Sequence, residues 1–139
     1  MKKLKPNYQL PRRKYFSEKI LPSIHASVNA KVKTIIDRAE NISLTTDIWT
    51  SNNNASFISL TAHCINIDFE QKAVVLRVIP FPGSHTATHI TEVLQGALQE
   101  FNIPPYKIHL IIRDNGTNIV MGIDGTGFRS CLAFYTLCS

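Results

Sequence analysis

Two aspartates, Asp47 and Asp114, are the residues of this chain whose type and placement most clearly suggest chemistry. Each lies at or just after the end of a strand-like run, so parallel packing of the two runs would bring both carboxylates to one sheet edge. Close carboxylates repel each other unless a proton or cation lies between them, and Mg²⁺ or Mn²⁺ suits such oxygen ligands. The pair therefore predicts two-metal cleavage of phosphodiesters or strand transfer. Two structural interpretations stay open, because Asp47 could cap a helix or a turn and Asp114-Asn115-Gly116 is typical of tight turns.

The first elements that must position these carboxylates are a helix and three strands. Apolar residues at three- and four-residue spacing predict an amphipathic helix over 15–39, which Pro22 should kink or start afresh. Three strand-like runs follow at 42–49, 56–67 and 72–79, and the last two are separated by a short connection at 68–71. We expect these runs to form an antiparallel meander.

A second helix and a fourth strand complete the predicted order. The helix covers 89–101, with Ser84 or Thr86 as its cap, and two prolines end it. The apolar run at 108–113 is typical of a buried parallel strand. Because a right-handed helical crossover commonly returns the chain parallel to an earlier strand, this run should lie beside the first one. The expected fold class is α/β: an N-terminal helix, a three-stranded antiparallel meander, a helix, and a fourth strand parallel to the first.

The positive charge of the chain is concentrated at its N-terminus. The net charge is +5, while residues 1–19 hold seven bases and one acid. Such an arm can bind DNA phosphates by counterion release, can act as a nuclear-import signal, or can be a solvated tail. The candidate nucleic-acid contacts are the bases of the first fourteen residues: Lys2, Lys3, Lys5, Arg12, Arg13 and Lys14.

Composition limits the compartment in which the protein works. No run reaches the roughly 18 uninterrupted apolar residues that a membrane span needs, so we expect no membrane partner. The three cysteines, Cys64, Cys131 and Cys138, include no CxxC pair, which argues against a disulfide framework or a self-contained zinc site. A reducing compartment fits this usage best.

Three further candidates carry weaker signals. His85 and His89 have the spacing of a zinc helix, but Thr86 stands where a general base is required, so capping and polar surface are the favoured interpretation. Trp49 could stack on a nucleobase, although packing is the more common role of a lone tryptophan beside a strand. The apolar C-terminus around Cys131 and Cys138 indicates a dimer contact or an aggregation-prone patch.

Several blocks together resemble the RNase H-like domain of hAT-type transposases, and within that family the domesticated BED-type zinc-finger proteins. The blocks are 43–51 (SLTTDIWTS), 57–63 ending in Leu-Thr-Ala-His, 85–87 (HTA) and 111–118 (IIRDNGTN). They occur in the family's order and cover roughly residues 11–131. The resemblance implies an incomplete RNase H-like fold, with 1–14 as a basic linker, 15–40 as the N-terminal helix and 41–139 as a truncated domain.

The resemblance also assigns roles. Asp47 would correspond to the family's first catalytic aspartate and Asp114 to its second, with Mg²⁺ or Mn²⁺ as the metal, while the third carboxylate, a glutamate, lies beyond this chain. Phe134 stands where the family usually has histidine, which puts the alignment after Gly122 in doubt. The expected protein is a catalytically incomplete fragment or short isoform of a transposase-derived nuclear protein. DNA would bind weakly through the basic arm, and a homo- or hetero-oligomer is an open expectation.

Two alternatives stay open. One is a Mg²⁺-dependent DNA-cleaving enzyme completed by another chain. The other is a protein-interaction module without nucleic-acid affinity.

Overall fold

The computed structural model describes residues 11–133. Its helical elements are α1 (Arg13–Tyr15), a π-helical turn (Phe16–Ile20), α2 (Leu21–Arg38), α3 (Ala87–Glu100), a 3₁₀ turn (Pro105–Lys107) and α4 (Thr117–Asp124). The strands are β1 (Ile42–Thr50), β2 (Ser56–Ile65), β3 (Gln71–Pro80), β4 (Ile108–Arg113) and β5 (Ser130–Leu132). No helix in this described part of the chain is long and apolar enough to cross a membrane.

The N-terminal helix starts earlier than predicted and changes its geometry before Pro22. Arg13 and Lys14, which the sequence assigns to an extended linker, already lie in α1. The π-helical turn ends one residue before α2, and Pro22 is the second residue of α2. Proline has no N–H to donate to the preceding turn, and the change from π-helical to α-helical geometry lies directly before it. The boundary between two compact units falls within α2, between Lys31 and Val32.

The second unit contains a five-stranded sheet of order β3-β2-β1-β4-β5. β1, β2 and β3 are an antiparallel meander, and β4 pairs parallel to β1. These two features confirm the predicted α/β arrangement. β5, which pairs parallel to β4, is not predicted from the sequence because three residues carry too little periodicity to be recognised.

One face of the sheet, the helices α3 and α4, and the last residues of α2, including Val32 and Ile36, form the core. Alternate residues of β1, Ile42, Leu44 and Thr46, are buried, and the sheet contributes Ile58, Leu60 and Ile111 to the same cluster. α3 adds Ile90, Leu94, Ala97 and Leu98, while α4 adds Ile119 and Ile123. The opposite face of the sheet, here called the outer face, carries the residues between these positions.

Close contact between α3 and α4 depends on a small residue. A Cβ atom at Gly122 would lie 2.7 Å from both Cβ and Cγ2 of Ile90, a distance that real side chains do not tolerate. Thr91 Oγ1 donates to the carbonyl oxygen of Gly122 at 2.6 Å. The crossing of these helices is therefore set by the absence of a side chain at one position.

Element ends differ from the sequence predictions where side chains take over hydrogen bonding. β2 ends at Ile65 rather than Ile67, because Asn66 Oδ1 accepts the N–H groups of Asp68 at 3.0 Å and Glu70 at 2.8 Å. α3 begins at Ala87 rather than His89, since Thr86 is its N-cap and accepts the His89 N–H at 3.3 Å.

Candidate functional site

Asp47 lies on the outer face of β1. Its neighbour Thr46 is buried and donates from Oγ1 to the Ser59 carbonyl oxygen at 2.9 Å, so strand alternation turns Asp47 to the opposite side, where it is exposed. The main chain of Asp47 pairs with that of Ser59 on β2. Because its main chain is part of a strand ladder, the structure disfavours the turn-cap interpretation of this residue.

Asp114 lies directly after β4 and is half-buried. Its Oδ1 accepts the Gly116 N–H at 3.1 Å, and its carbonyl oxygen accepts Arg113 Nη1 at 3.0 Å. Gly116 is the N-cap of α4, and a Cβ there would lie 3.2 Å from Asp114 Oδ1. Asp114 therefore lies in a tight turn, as its neighbours Asn115 and Gly116 suggest, and its Oδ1 atom accepts a hydrogen bond within that turn.

The β1–β4 register brings the two aspartates to corresponding positions. The last paired residues are Thr45 and Ile112, and two residues further along each strand stand Asp47 and Asp114. Both carboxylates therefore lie at the carboxyl edge of neighbouring parallel strands, where open α/β sheets bind ligands. Hard oxygen donors of this kind fit Mg²⁺ or Mn²⁺, which would activate a water and stabilise a leaving oxygen.

Within residues 11–133, no three His, Cys, Asp or Glu side chains are grouped so as to hold a metal ion. The site consequently contains a pair of candidate ligands, and their metal-binding role stays a prediction.

Trp49 lies on β1 two residues beyond Asp47. Its ring stacks on that of Phe57, its cross-strand partner, with centroids 5.7 Å apart and planes 21° from parallel. One side of the Trp49 indole is therefore packed against another side chain, as expected for a lone tryptophan beside a strand. Because 38% of Trp49 is still exposed, part of the ring is free to contact a ligand near Asp47.

His85 and His89 contact a buried aromatic ring that the spacing of the histidines alone does not reveal. Their centroids lie 4.9 Å and 4.3 Å from that of Phe81, which is fully buried. Both histidines are half-buried, so their expected place on the polar surface is corrected to packing against Phe81. A sequence signal for this cluster exists. Phe81 lies between two prolines, and histidines follow it four and eight residues later.

The basic arm is described in part. Arg12, Arg13 and Lys14 are exposed, and Lys14 Nζ lies 3.8 Å from Glu18 Oε1. Lys2, Lys3 and Lys5 lie outside the described residues, as do Phe134 and Cys138.

The two described cysteines differ in burial. Cys131 is half-buried in β5, whereas Cys64 is buried in β2, and burial raises the pKa of the Cys64 thiol.

Comparisons with known proteins identify a family model and several relatives. Residues 45–123 match the family model described as the ZBED1 RNase-like domain. Zinc finger BED domain-containing protein 6 of Mus musculus is 27% identical over 93% of this chain. A protein of Talaromyces stipitatus, tpeD, whose name proposes a role in transcriptional regulation, is 30% identical over 60% of the chain.

These matches cover small parts of the relatives. The chain spans 15% of the mouse protein and 10% of the Talaromyces protein. Among solved structures, Ciona intestinalis endonuclease V in complex with a 24mer DNA is similar with a TM-score of 0.41 and 13% identity, covering 80% of this chain and 57% of that one.

Proposed function

This chain belongs to the ZBED1 RNase-like domain family, and on that basis we propose that it is a catalytically incomplete, transposase-derived domain of a nuclear regulatory protein that associates with DNA. The names of the relatives, a zinc finger BED protein and a proposed transcriptional regulator, support the regulatory part. We infer nuclear localisation from the same names and from the basic arm.

The observation that supports this proposal is the β1–β4 register, which puts Asp47 and Asp114 at corresponding positions two residues beyond the last paired residues. Two-metal chemistry requires enough ligands to clamp both the attacking and the leaving oxygen. Two carboxylates can bind a divalent cation without completing that set. We propose that the pair holds Mg²⁺ or Mn²⁺ and that the described residues do not cut DNA by themselves.

Metal binding is tested by thermal unfolding with and without Mn²⁺. A cation that binds only the native state raises the midpoint, so Mn²⁺ should raise it for the parent chain. Asp47→Asn should abolish the rise because it removes one charged ligand. Asp37→Asn is the matched control: it removes an exposed aspartate of α2, outside the proposed site, and should keep the full Mn²⁺ response. An unchanged midpoint in the parent chain would contradict the proposed metal site.

Catalytic incompleteness is tested with a supercoiled-DNA nicking assay in Mg²⁺ and in Mn²⁺. We expect no nicking above background from the purified chain. Metal-dependent nicking that Asp47→Asn removes would instead establish the alternative, an enzyme completed by a second copy or another chain. If DNA binding proved absent at every salt concentration, the remaining alternative, a pure protein-interaction module, would stand.

A further inference from the structure

Asn115 is the one asparagine of the sequence that a glycine follows. Its side chain is exposed and, within residues 11–133, forms no hydrogen bond. The main-chain nitrogen of the next residue can attack an asparagine side chain, and glycine hinders this attack least because it has no Cβ. Asn115 and Gly116 therefore combine a free side-chain amide with an unhindered nitrogen.

The carboxylate of Asp114 contacts the nitrogen that would attack. Gly116 N–H donates to Asp114 Oδ1 at 3.1 Å. A general base must lie within about 2.6–3.2 Å of the atom whose proton it removes, and this contact meets that requirement. A Cβ at Gly116 would lie 3.2 Å from the same oxygen, so the contact also depends on glycine. The turn after β4 thus places a base on the Gly116 N–H.

We propose that Asn115 is a site of spontaneous deamidation in which Asp114 is the general base. Asp114 accepts the Gly116 N–H proton while the nitrogen bonds to Cγ of Asn115. The C–N bond of the side-chain amide then breaks, and the leaving nitrogen takes the proton back from Asp114 and departs as ammonia. One water molecule opens the resulting cyclic imide to either aspartate or isoaspartate, so the reaction needs no oxidant or reductant.

The aspartate product adds a carboxylate to the candidate site, a consequence that rests on the proposed function. Residue 115 directly follows Asp114, whose position corresponds to that of Asp47 on the neighbouring strand. Mg²⁺ and Mn²⁺ are held by hard oxygen ligands, and two carboxylates do not complete the set that two-metal chemistry requires. A third carboxylate at this edge should therefore strengthen cation binding.

Peptide mass spectrometry tests the modification on the full 139-residue chain, incubated at neutral pH without metal. Trypsin releases residues 114–129, which contain Asn115 and also Asn118, an exposed residue of α4 that isoleucine follows. We expect the mass increase that replacement of NH₂ by OH produces, located by fragmentation at Asn115 and not at Asn118. Conversion should be faster in the folded chain than in the same chain unfolded by urea, where the contact with Asp114 is lost. Equal rates at the two asparagines, or a faster rate in urea, would overturn the proposal.

The role of the base is tested with Asp114→Asn. This variant keeps an oxygen that can accept the Gly116 N–H but is not basic, so conversion of Asn115 should slow by about tenfold or more. Gly116→Ala should slow it as well, because the added methyl group hinders the attack and crowds the carboxylate. Asp37→Asn, which changes an exposed aspartate of α2, is the matched control and should keep the parent rate. Rates are compared below the unfolding midpoint of each variant, and a parent-like rate in Asp114→Asn would contradict the assigned base.

Thermal unfolding with and without Mn²⁺ tests the consequence for the site. Asn115→Asp supplies the aspartate product directly, and Mn²⁺ should raise its midpoint by more than it raises that of the parent chain. Asn102→Asp, an exposed change before the opposite end of β4, is the control and should keep the parent shift. A shift for Asn115→Asp no larger than the parent's would overturn the role of a third ligand. A parent chain without any shift would contradict the proposed metal pair, whereas deamidation is decided by the mass spectra alone.

Discussion

Thr46 and Asp47 are consecutive residues of β1 with opposite surroundings. Thr46 is 5% exposed and satisfies its hydroxyl by donating to the Ser59 carbonyl, whereas Asp47 is exposed on the outer face. A buried hydroxyl is tolerated in an apolar core only when it has such a partner. The hydrogen bond therefore helps to fix the register that places Asp47 at the sheet edge.

Replacing Thr46 with valine should test that contribution. Thr46→Val keeps the shape of the side chain but removes the donor, and we expect a loss of about 0.5–1.5 kcal/mol in the free energy of unfolding. Urea denaturation followed by circular dichroism measures it. Thr50→Val, which removes an exposed hydroxyl that lies 3.3 Å from Ser56 Oγ, is the control and should cost less. Equal losses for the two variants would show that burial of the Thr46 hydrogen bond is unimportant.

At the scale of elements, the packing of α4 on α3 supports the turn that carries Asp114. α4 begins immediately after the turn that Asp114 caps, and its Gly122 lies against Ile90 of α3. Any side chain at Gly122 would push the two helices apart. A shift of α4 would then act on the turn and on the half of the candidate site that it carries.

Two glycine substitutions test this packing, and they are expected to change the free energy of unfolding in opposite directions. Gly122→Ala should lower the free energy of unfolding by about 1–3 kcal/mol, because its Cβ would overlap Ile90. Gly96→Ala in α3 should raise it by about 0.5–1 kcal/mol, since a Cβ there meets no atom within 4 Å and alanine favours the helix. Thermal and chemical denaturation give both values. A stabilising Gly122→Ala would contradict the close helix contact.

At the scale of the whole molecule, the excess positive charge is concentrated in the N-terminal residues. Residues 1–19 have a net charge of +6, and the remaining residues have −1, which together give the +5 of the chain. Association with DNA through such an arm depends on counterion release and therefore on salt. Acidic groups near β1 and β4 would need a cation before they could approach phosphate.

The salt dependence of DNA affinity measures how much the arm contributes to binding. Replacing Arg12, Arg13 and Lys14 with alanine should lower the slope of log K against log salt by about 0.9 for each phosphate that the arm no longer neutralises. Fluorescence anisotropy with arbitrary duplex DNA records this slope. A double alanine variant of Lys31 and Lys33, exposed bases on α2, is the control and should keep the parent slope. An unaltered slope in the triple variant would exclude these three residues as phosphate ligands.

Local sequence determined the elements whose pattern is long and regular. The alternation in β1 and β2, the capped apolar helix α3 and the buried run of β4 follow from side-chain periodicity, and the crossover rule then sets β4 parallel to β1. The types of Asp47 and Asp114 and their places at strand ends are visible in the same way. Periodicity succeeds here because each segment makes its own pattern over several residues.

Only the tertiary structure decided the remaining features. α4 and β5 are short and are held by packing against α3 and β4, so their own residues carry little signal. The burial of His85 and His89 on Phe81, and the exposure of Phe69, depend on neighbours that are distant in sequence or belong to a turn. The corresponding positions of Asp47 and Asp114 likewise required the observed register, because a single-residue slip would turn one carboxylate to the other face of the sheet.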